Sequence, residues 1–528
     1  MTDIRPHDPR LTRRTLLHRA ACAGAGMALS GAAWRSLVDT GHALAAPPPV
    51  TPVGVLLIVQ GVDAESLDPH VTTSGASKGM MWAMYDKLLE RSPDMKIVPW
   101  LATSYRVLND STWEFRLRDN VYFHNGEKFG AEHVRDTIAR FKSPHVRNVY
   151  AGQLRPVRDV EIVDPLTVRI HTDGPFALLA EVLSLYCEML PKAITSGQVD
   201  PAKQAIGTGP YRFTEWIPNQ RMVMDFAPRP HFSGQPRLRR LVWRPVPEAA
   251  TRLVELKTGA AHLITPVDPI QIPELEATKN VEVVRFRQLA SQIVVLNMLK
   301  VRAFQDVRVR QALNYATDVD TLIRTVMRGA AYRLASAFGP GIPGYDESLR
   351  PYPYDPERAR QLLAEAGYGG GLDVTLVTPE GRYLNDRLAS EAIAGMWTRV
   401  GVRTRVQVMD WSPFVQGVLG KTHDAFFFQQ VGVLLDATTS INFDSDRKGA
   451  AWQGYHNEEA NRLIQEAPRT MDPTRRNEMY RRLNQILHRD CPWVYLWNQQ
   501  GVYALQKRVK GWEPHVDGII RLGTISLR

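Results

Sequence analysis

The stretch of this chain that most directly matches a chemical motif is Gly75-Ala76-Ser77-Lys78-Gly79, which reads G-x-S-x-G. In a hydrolase that pattern sets a serine on a sharp turn leading straight from a strand into a helix. Here the strand-like run upstream ends at Val59, across a loop, and the match arises by chance in roughly one chain of this size in ten. Ser77 is therefore expected to build structure, with an exported serine hydrolase as a distant alternative. The histidines stand singly, and no C-x-x-C, H-x-x-x-H or H-E-x-x-H occurs, so no metal ligand set is written locally. A metal held by a small chelator would leave no such motif. Gly369-Gly370-Gly371 follows a helical pattern and precedes a strand, the reverse of a phosphate-cradling loop. No catalytic residue and no cofactor is expected.

Residues that could position a ligand depend on where the chain works, and its N-terminus bears on that. Thr12-Arg13-Arg14-Thr15-Leu16-Leu17 sets two arginines ahead of a small-residue run, Ala20 to Ala33, and Ala43-Leu44-Ala45 offers a peptidase site. Together these read as a twin-arginine signal over 1–45, cleaved near Ala45, with the mature chain periplasmic. The apolar run is shorter than the roughly 20 residues that a membrane span needs. The signal carries six arginines against three aspartates, so its removal lowers the net charge from +10 to +7. That surplus is scattered, with no basic stripe interleaved with aromatics, and nucleic acid is not the expected partner. Cys187 and Cys491 remain in the mature chain, able to pair or to stay as separate buried thiols.

The elements that must carry any site follow from periodicity. Val53–Val59 is a continuous apolar run, as in a strand buried on both faces. Ser77–Glu90 has helical spacing, and Thr112–Arg118 alternates like a half-exposed strand. Val157–Ile170 reads as a hairpin around Asp164-Pro165. Strands are expected at Val281–Phe286 and Ile293–Asn297, and a long helix from Asp306 to Met327. Pro356–Ala366 is a helix stopped by Gly367. Val374–Val377, Arg387–Val400 and Arg403–Val408 make a β-α-β unit. Glu458–Ala467 and Pro473–Leu487 are helices, and Trp493–Trp497 is a last strand. The alternation implies α/β lobes.

Several blocks, in this order, resemble the large extracytoplasmic solute-binding proteins of ABC transporters, the family of oligopeptide-, dipeptide- and nickel-binding proteins. They are Ser66-Leu67-Asp68-Pro69; Tyr85 to Leu89 with Pro99-Trp100-Leu101-Ala102; Trp113 to Val121; Phe123-His124-Asn125-Gly126; Gly207-Thr208-Gly209-Pro210-Tyr211; Asp306 to Leu313; and Ala359 to Gly367. Gly207 and Gly209 are expected to take backbone angles closed to other residues, and Arg308 and Arg310 to brace a helix start. The resemblance implies a type II periplasmic binding protein fold of the large class: two α/β lobes, a hinge and an inserted subdomain. Lobe one takes 46–91, 192–288 and 491–528, its inserted subdomain 92–191, and lobe two 289–490. The implied partners are a small-molecule or peptide ligand and a membrane permease with its ATPase, and the implied state is a monomer. The implied act is capture, in which the ligand favours the closed form because only there do both lobes touch it.

Cleft residues should come from segments that cross or face the hinge. In lobe one these are Val62 and Asp63 after the first strand, and Thr265; the inserted subdomain offers Tyr150. Lobe two offers Arg382 and Tyr383, Trp411, and the loop from Gln430 to Asp436. Trp497 and Asn498 lie where the chain returns. Each has a plainer alternative: Asp63 capping a turn, Trp411 a core residue, Arg382 capping Asp386 rather than gripping a carboxylate. In peptide binders of the family the lobe-two loop commonly carries W-x-x-D, its aspartate pairing with the peptide ammonium. Here Gln430 stands at the tryptophan position and Val433 at the aspartate position, with Asp436 at a later acidic one. An ammonium taken out of water without a partner is costly. The readings that stay open are a peptide, an opine-like or modified amino acid, an oligosaccharide and chelated nickel.

Overall fold

Two runs of parallel strands end at one place, where two long antiparallel strands carry the chain between lobes. The computed structural model describes residues 54–148, 150–234, 236–380, 382–431, 454–522 and 525–528. The first lobe opens with β1 (Val55–Gln60). Short β2 (Leu89–Arg91) closes this first segment and pairs with β3 (Ile97–Pro99) at the start of the inserted region. Then come β4 (Ala102–Asn109), β5 (Thr112–Leu117), β6 (Val157–Asp164) and β7 (Thr167–Thr172), a separate sheet in the order β4-β5-β7-β6. The first lobe resumes with β8 (Tyr211–Ile217), β9 (Arg221–Phe226), β10 (Arg240–Pro245) and β11 (Leu263–Thr265). Strand β12 (Val281–Leu296) crosses to the second lobe, which holds β13 (Ala331–Arg333), β14 (Leu372–Pro379), β15 (Val402–Met409) and β16 (Ala425–Val431). Strand β17 (Trp493–Gln506) crosses back, and the large sheet runs β15-β14-β16-β12-β17-β11-β1-β10-β9-β8 with β13 against β17.

Register fixes the geometry. β1 is parallel to β10 and β11, and β14 to β15 and β16. β16 runs antiparallel to β12 and reaches Ala290 with its last residue, Val431, while β11 runs antiparallel to β17 toward the same crossing. Both groups of parallel strands therefore point their carboxyl ends at the crossing, where open α/β sheets place ligands. The β12–β17 ladder is regular from Val281↔Gln506 to Arg287↔Gln500, breaks, and resumes at Ser291↔Asn498. The strands expected separately at 281–286 and 293–297 are one strand, and the last strand runs on to Gln506; the break disguised both.

Two main cores flank the crossing. One gathers residues from Leu289 to Trp497, the other from Leu56 to Leu263 with Tyr503 to Ile525. Cys491–Trp497 packs with the former. Met95 of the inserted region also joins that core, Met471 packs on the other, and the Ala177 N–H donates to the Pro468 carbonyl at 2.9 Å. Cys187 and Cys491 are free, buried thiols, one in each core.

Local rules explain the helices. Asp306, Asp355 and Asp472 cap their helices by accepting from Arg308, Arg358 and Arg475 N–H, and Pro356 and Pro473 occupy the first turns. The stretch from Asp306 to Met327 is two helices, Val307–Tyr315 and Val319–Thr325, because Asp318 caps a second start. The helix expected over 77–90 spans Gly75–Met84, and Leu89–Arg91 pairs instead with Ile97–Pro99. Gly207 and Gly209 are required for a different reason from the expected one. A Cβ added at Gly207 would lie 2.1 Å from the Met84 carbonyl oxygen, and one at Gly209 2.6 Å from the Met84 carbonyl carbon, so the loop rides directly on the helix end. Arg308 grips Asp306 and the Glu365 carbonyl, while Arg310 donates to the Phe304, Gln305 and Asp490 carbonyls, so both brace the helix start.

Candidate functional site

On the second lobe, the turn after β14 is held by one carboxylate. Asp386 Oδ2 accepts the main-chain N–H groups of Arg382 and Tyr383 at 3.1 and 2.9 Å and opens the helix Asp386–Arg399. The Arg382 guanidinium lies over the Trp411 ring, 4.8 Å from its centre, and 5.7 Å from that of Tyr383. Trp411 follows β15, starts the helix Trp411–Leu419, stacks on Phe414 at 5.6 Å and stays 39 % exposed. Its ring thus carries both Phe414 and the Arg382 guanidinium and still reaches solvent. Tyr383 is buried against Trp411, Phe427 and Phe428, and burial pushes its hydroxyl well above the usual phenol range. A guanidinium over an indole face is held by cation–π attraction and can still offer its forked N–H groups to a planar anion.

The first lobe contributes a different surface. Val62, two residues past the end of β1, is 53 % exposed. The Asp63 carboxylate accepts from Trp216 Nε1 at 3.1 Å, Asn219 N–H at 2.6 Å and Ala64 N–H at 2.8 Å, so it fastens the β8–β9 turn to the end of β1. Thr265 ends β11 and precedes a cis peptide bond to Pro266. Tyr150 stacks on Tyr186 at 4.2 Å and donates to the Thr73 carbonyl at 3.3 Å, contacts within the inserted region and the loop beside it. Trp497 is fully buried near Phe427, and buried Asn498 donates to Ser291 Oγ at 3.0 Å. Val433 and Asp436 lie outside the described residues.

Sequence reasoning passed over a cluster of amides at the crossing itself. Gln292 on β12 sits opposite Gln429 on β16, and both side-chain N–H groups donate to Gln499 Oε1 on β17, each at 3.3 Å. The signal available was a run that ends apolar and turns polar, Phe426-Phe427-Phe428-Gln429-Gln430. Tyr383 packs on Phe427 and Phe428, the two residues before Gln429 on β16, so the arginine–indole pair and the amide cluster both meet that strand.

Elsewhere the chemistry is structural. Ser77 is buried in the first turn of its helix, and its hydroxyl oxygen accepts from Ser74 Oγ at 3.0 Å and Glu65 N–H at 3.1 Å. Among the described residues no group of three His, Cys, Asp or Glu side chains is placed to hold a metal. A cavity of about 560 Å³ opens beside the helix Ala131–Lys142, lined by Asp136, Arg140 and Lys192 among others; none of the residues discussed above for the crossing lines it.

The family model of bacterial extracellular solute-binding proteins, family 5, matches residues 96–451. The glutathione-binding protein GsiB of Salmonella paratyphi A is 28% identical over 498 residues, covering 90% of this chain and 95% of its own. The solved periplasmic binding protein DppA of Helicobacter pylori, in complex with the peptide STSA, has 25% identity and a TM-score of 0.78 over 90% of this chain and 98% of its own. A dipeptide-binding protein of Pseudoalteromonas sp. SM9913, in complex with Met-Leu, has 21% identity and a TM-score of 0.80 over 90% of this chain and all of its own. These relatives are binding proteins, and their two-lobe arrangement is the one described above. The chain belongs to the family 5 extracellular solute-binding proteins, the ligand-capturing subunits of ABC importers.

Proposed function

We propose that this protein captures a carboxylate-bearing peptide or peptide-like solute in the periplasm and presents it, chemically unchanged, to an inner-membrane permease and its ATPase. The observation that carries the reading is the Arg382 guanidinium stacked on half-exposed Trp411, at the carboxyl ends of β14 and β15. A bidentate carboxylate contact there is charge-assisted and sets the orientation of the solute. Glutathione, the ligand named for the GsiB relatives, is a peptide carrying carboxylates. On the facing lobe Val62 and Thr265 border the cleft, while the Asp63 carboxylate is already committed to Trp216 and Asn219. Trp497 and Asn498 support the floor from below, Tyr383 backs the wall, and Tyr150 steadies the inserted region. Export by the twin-arginine route, cleavage near Ala45, a monomeric state and the absence of turnover complete the proposal. Native mass spectrometry of protein purified from its own cell, followed by calorimetry with the released solute, tests it. An intact carboxylate-bearing solute that rebinds supports the reading; a solute with no anionic group, or one consumed on rebinding, overturns it.

A further inference from the structure

The three glutamines at the crossing share one acceptor and leave one buried carbonyl without a donor. Gln292 is 1 % exposed, yet its Oε1 has no hydrogen-bond partner, because its own N–H and that of Gln429 converge on Gln499 Oε1. Gln429 and Gln499 are half-buried, so the group reaches solvent through them. The cluster lies where the β12–β17 ladder breaks, with Gln288 to Ala290 facing only Gln499 across it. A buried carbonyl without a donor costs about 1–3 kcal/mol, and a ligand N–H removes that cost. An ammonium would bring a full charge to a cluster that contains no carboxylate, where nothing offsets its lost hydration.

We propose that Gln292, Gln429 and Gln499 form an uncharged subsite that accepts a neutral N–H of the solute and so selects amide-linked or acylated amines over free ammonium groups. The proposal rests on the peptide-like reading above and adds the state of the solute's amine. The test is calorimetry at pH 7 on the mature chain, freed of bound solute, with Met-Leu and N-acetyl-Met-Leu as paired probes. The acetylated form is expected to bind at least as tightly as the free one. Gln292→Glu, or Gln429→Glu should the buried variant fail to fold, is expected to move the ratio about tenfold or more toward the free amine. A purely structural role would weaken both probes alike and leave the ratio in place. The proposal is overturned by a wild type that prefers the free amine tenfold, or by a ratio that neither carboxylate variant moves. Failure of both probes on every variant overturns the peptide-like reading itself, and this subsite with it.

Discussion

Arg382 and Asp63 show how one polar side chain is kept for a ligand and another is used up by the fold. Arg382 spends its main-chain N–H on Asp386 and leaves its guanidinium on an indole face. Asp63 spends its carboxylate on three donors of its own lobe. Arg382→Ala is expected to weaken binding of the native solute by about 10- to 100-fold, the value of a charge-assisted pair, while leaving the melting temperature in place. Arg382→Lys should recover little, since an ammonium cannot grip a carboxylate through two parallel bonds. Calorimetry and thermal melts on the two variants check this. Asp63→Ala is expected to do the opposite, lowering the melting temperature through loss of its bonds to Trp216 and Asn219, with a smaller effect on affinity. Of these roles only the candidates were legible in sequence. Arg382 beside Tyr383 and a downstream Trp411 announced a polar–aromatic surface, but whether Asp63 faced a ligand or a turn depended on the β8–β9 turn, some 150 residues away in the chain.

The pair β12 and β17 joins the two lobes. Its ladder breaks between Arg287 and Ser291, and beside the break Phe286 stacks on Tyr503 at 5.4 Å across the pair. Gly501 lies beneath that stack, and an added Cβ would fall 2.1 Å from Phe286 Cζ. Gly501→Ala is therefore expected to push Phe286 out and to cost about 1–3 kcal/mol, as overpacked sites do. Phe286→Leu in the same chain should return much of that, a coupling measured by denaturant unfolding of the single and double variants. The elements themselves were largely legible. Asp-Pro at helix starts and Gly367 at a helix end, the latter at φ 87°, mark boundaries by local chemistry that needs no tertiary partner. The crossing was harder, because the ladder break interrupts the apolar pattern and made one strand read as two.

At the scale of the molecule, burial sets the acid limit of stability. His70 is buried, bonded to the Glu188 carbonyl at 2.9 Å and facing Arg140 at 2.9 Å, with Asp68 nearby. Burial, with the arginine assisting, holds its pKa down at about 4 against opposing carboxylates. His515, beside Arg521 and Asp517, is lowered to about 4 for the same first reason. The unfolded chain binds both protons near pH 6.5, the folded one only near 4. Stability is thus complete above about pH 6.5 and falls as pH drops toward 4. Denaturant midpoints should be flat from pH 8 to 7 and lower at pH 5; a midpoint unchanged between 7 and 5 would contradict this. The family and its two lobes were legible because blocks spread over most of the chain each answer to a local packing need. The amide cluster was not, since its members come from three strands that meet only in the folded sheet. The most direct test of a hinged trap is small-angle scattering on the mature chain, first stripped of solute and then resupplied with it. The radius of gyration is expected to fall as calorimetric binding saturates; tight binding with no change in that radius would contradict a hinged trap.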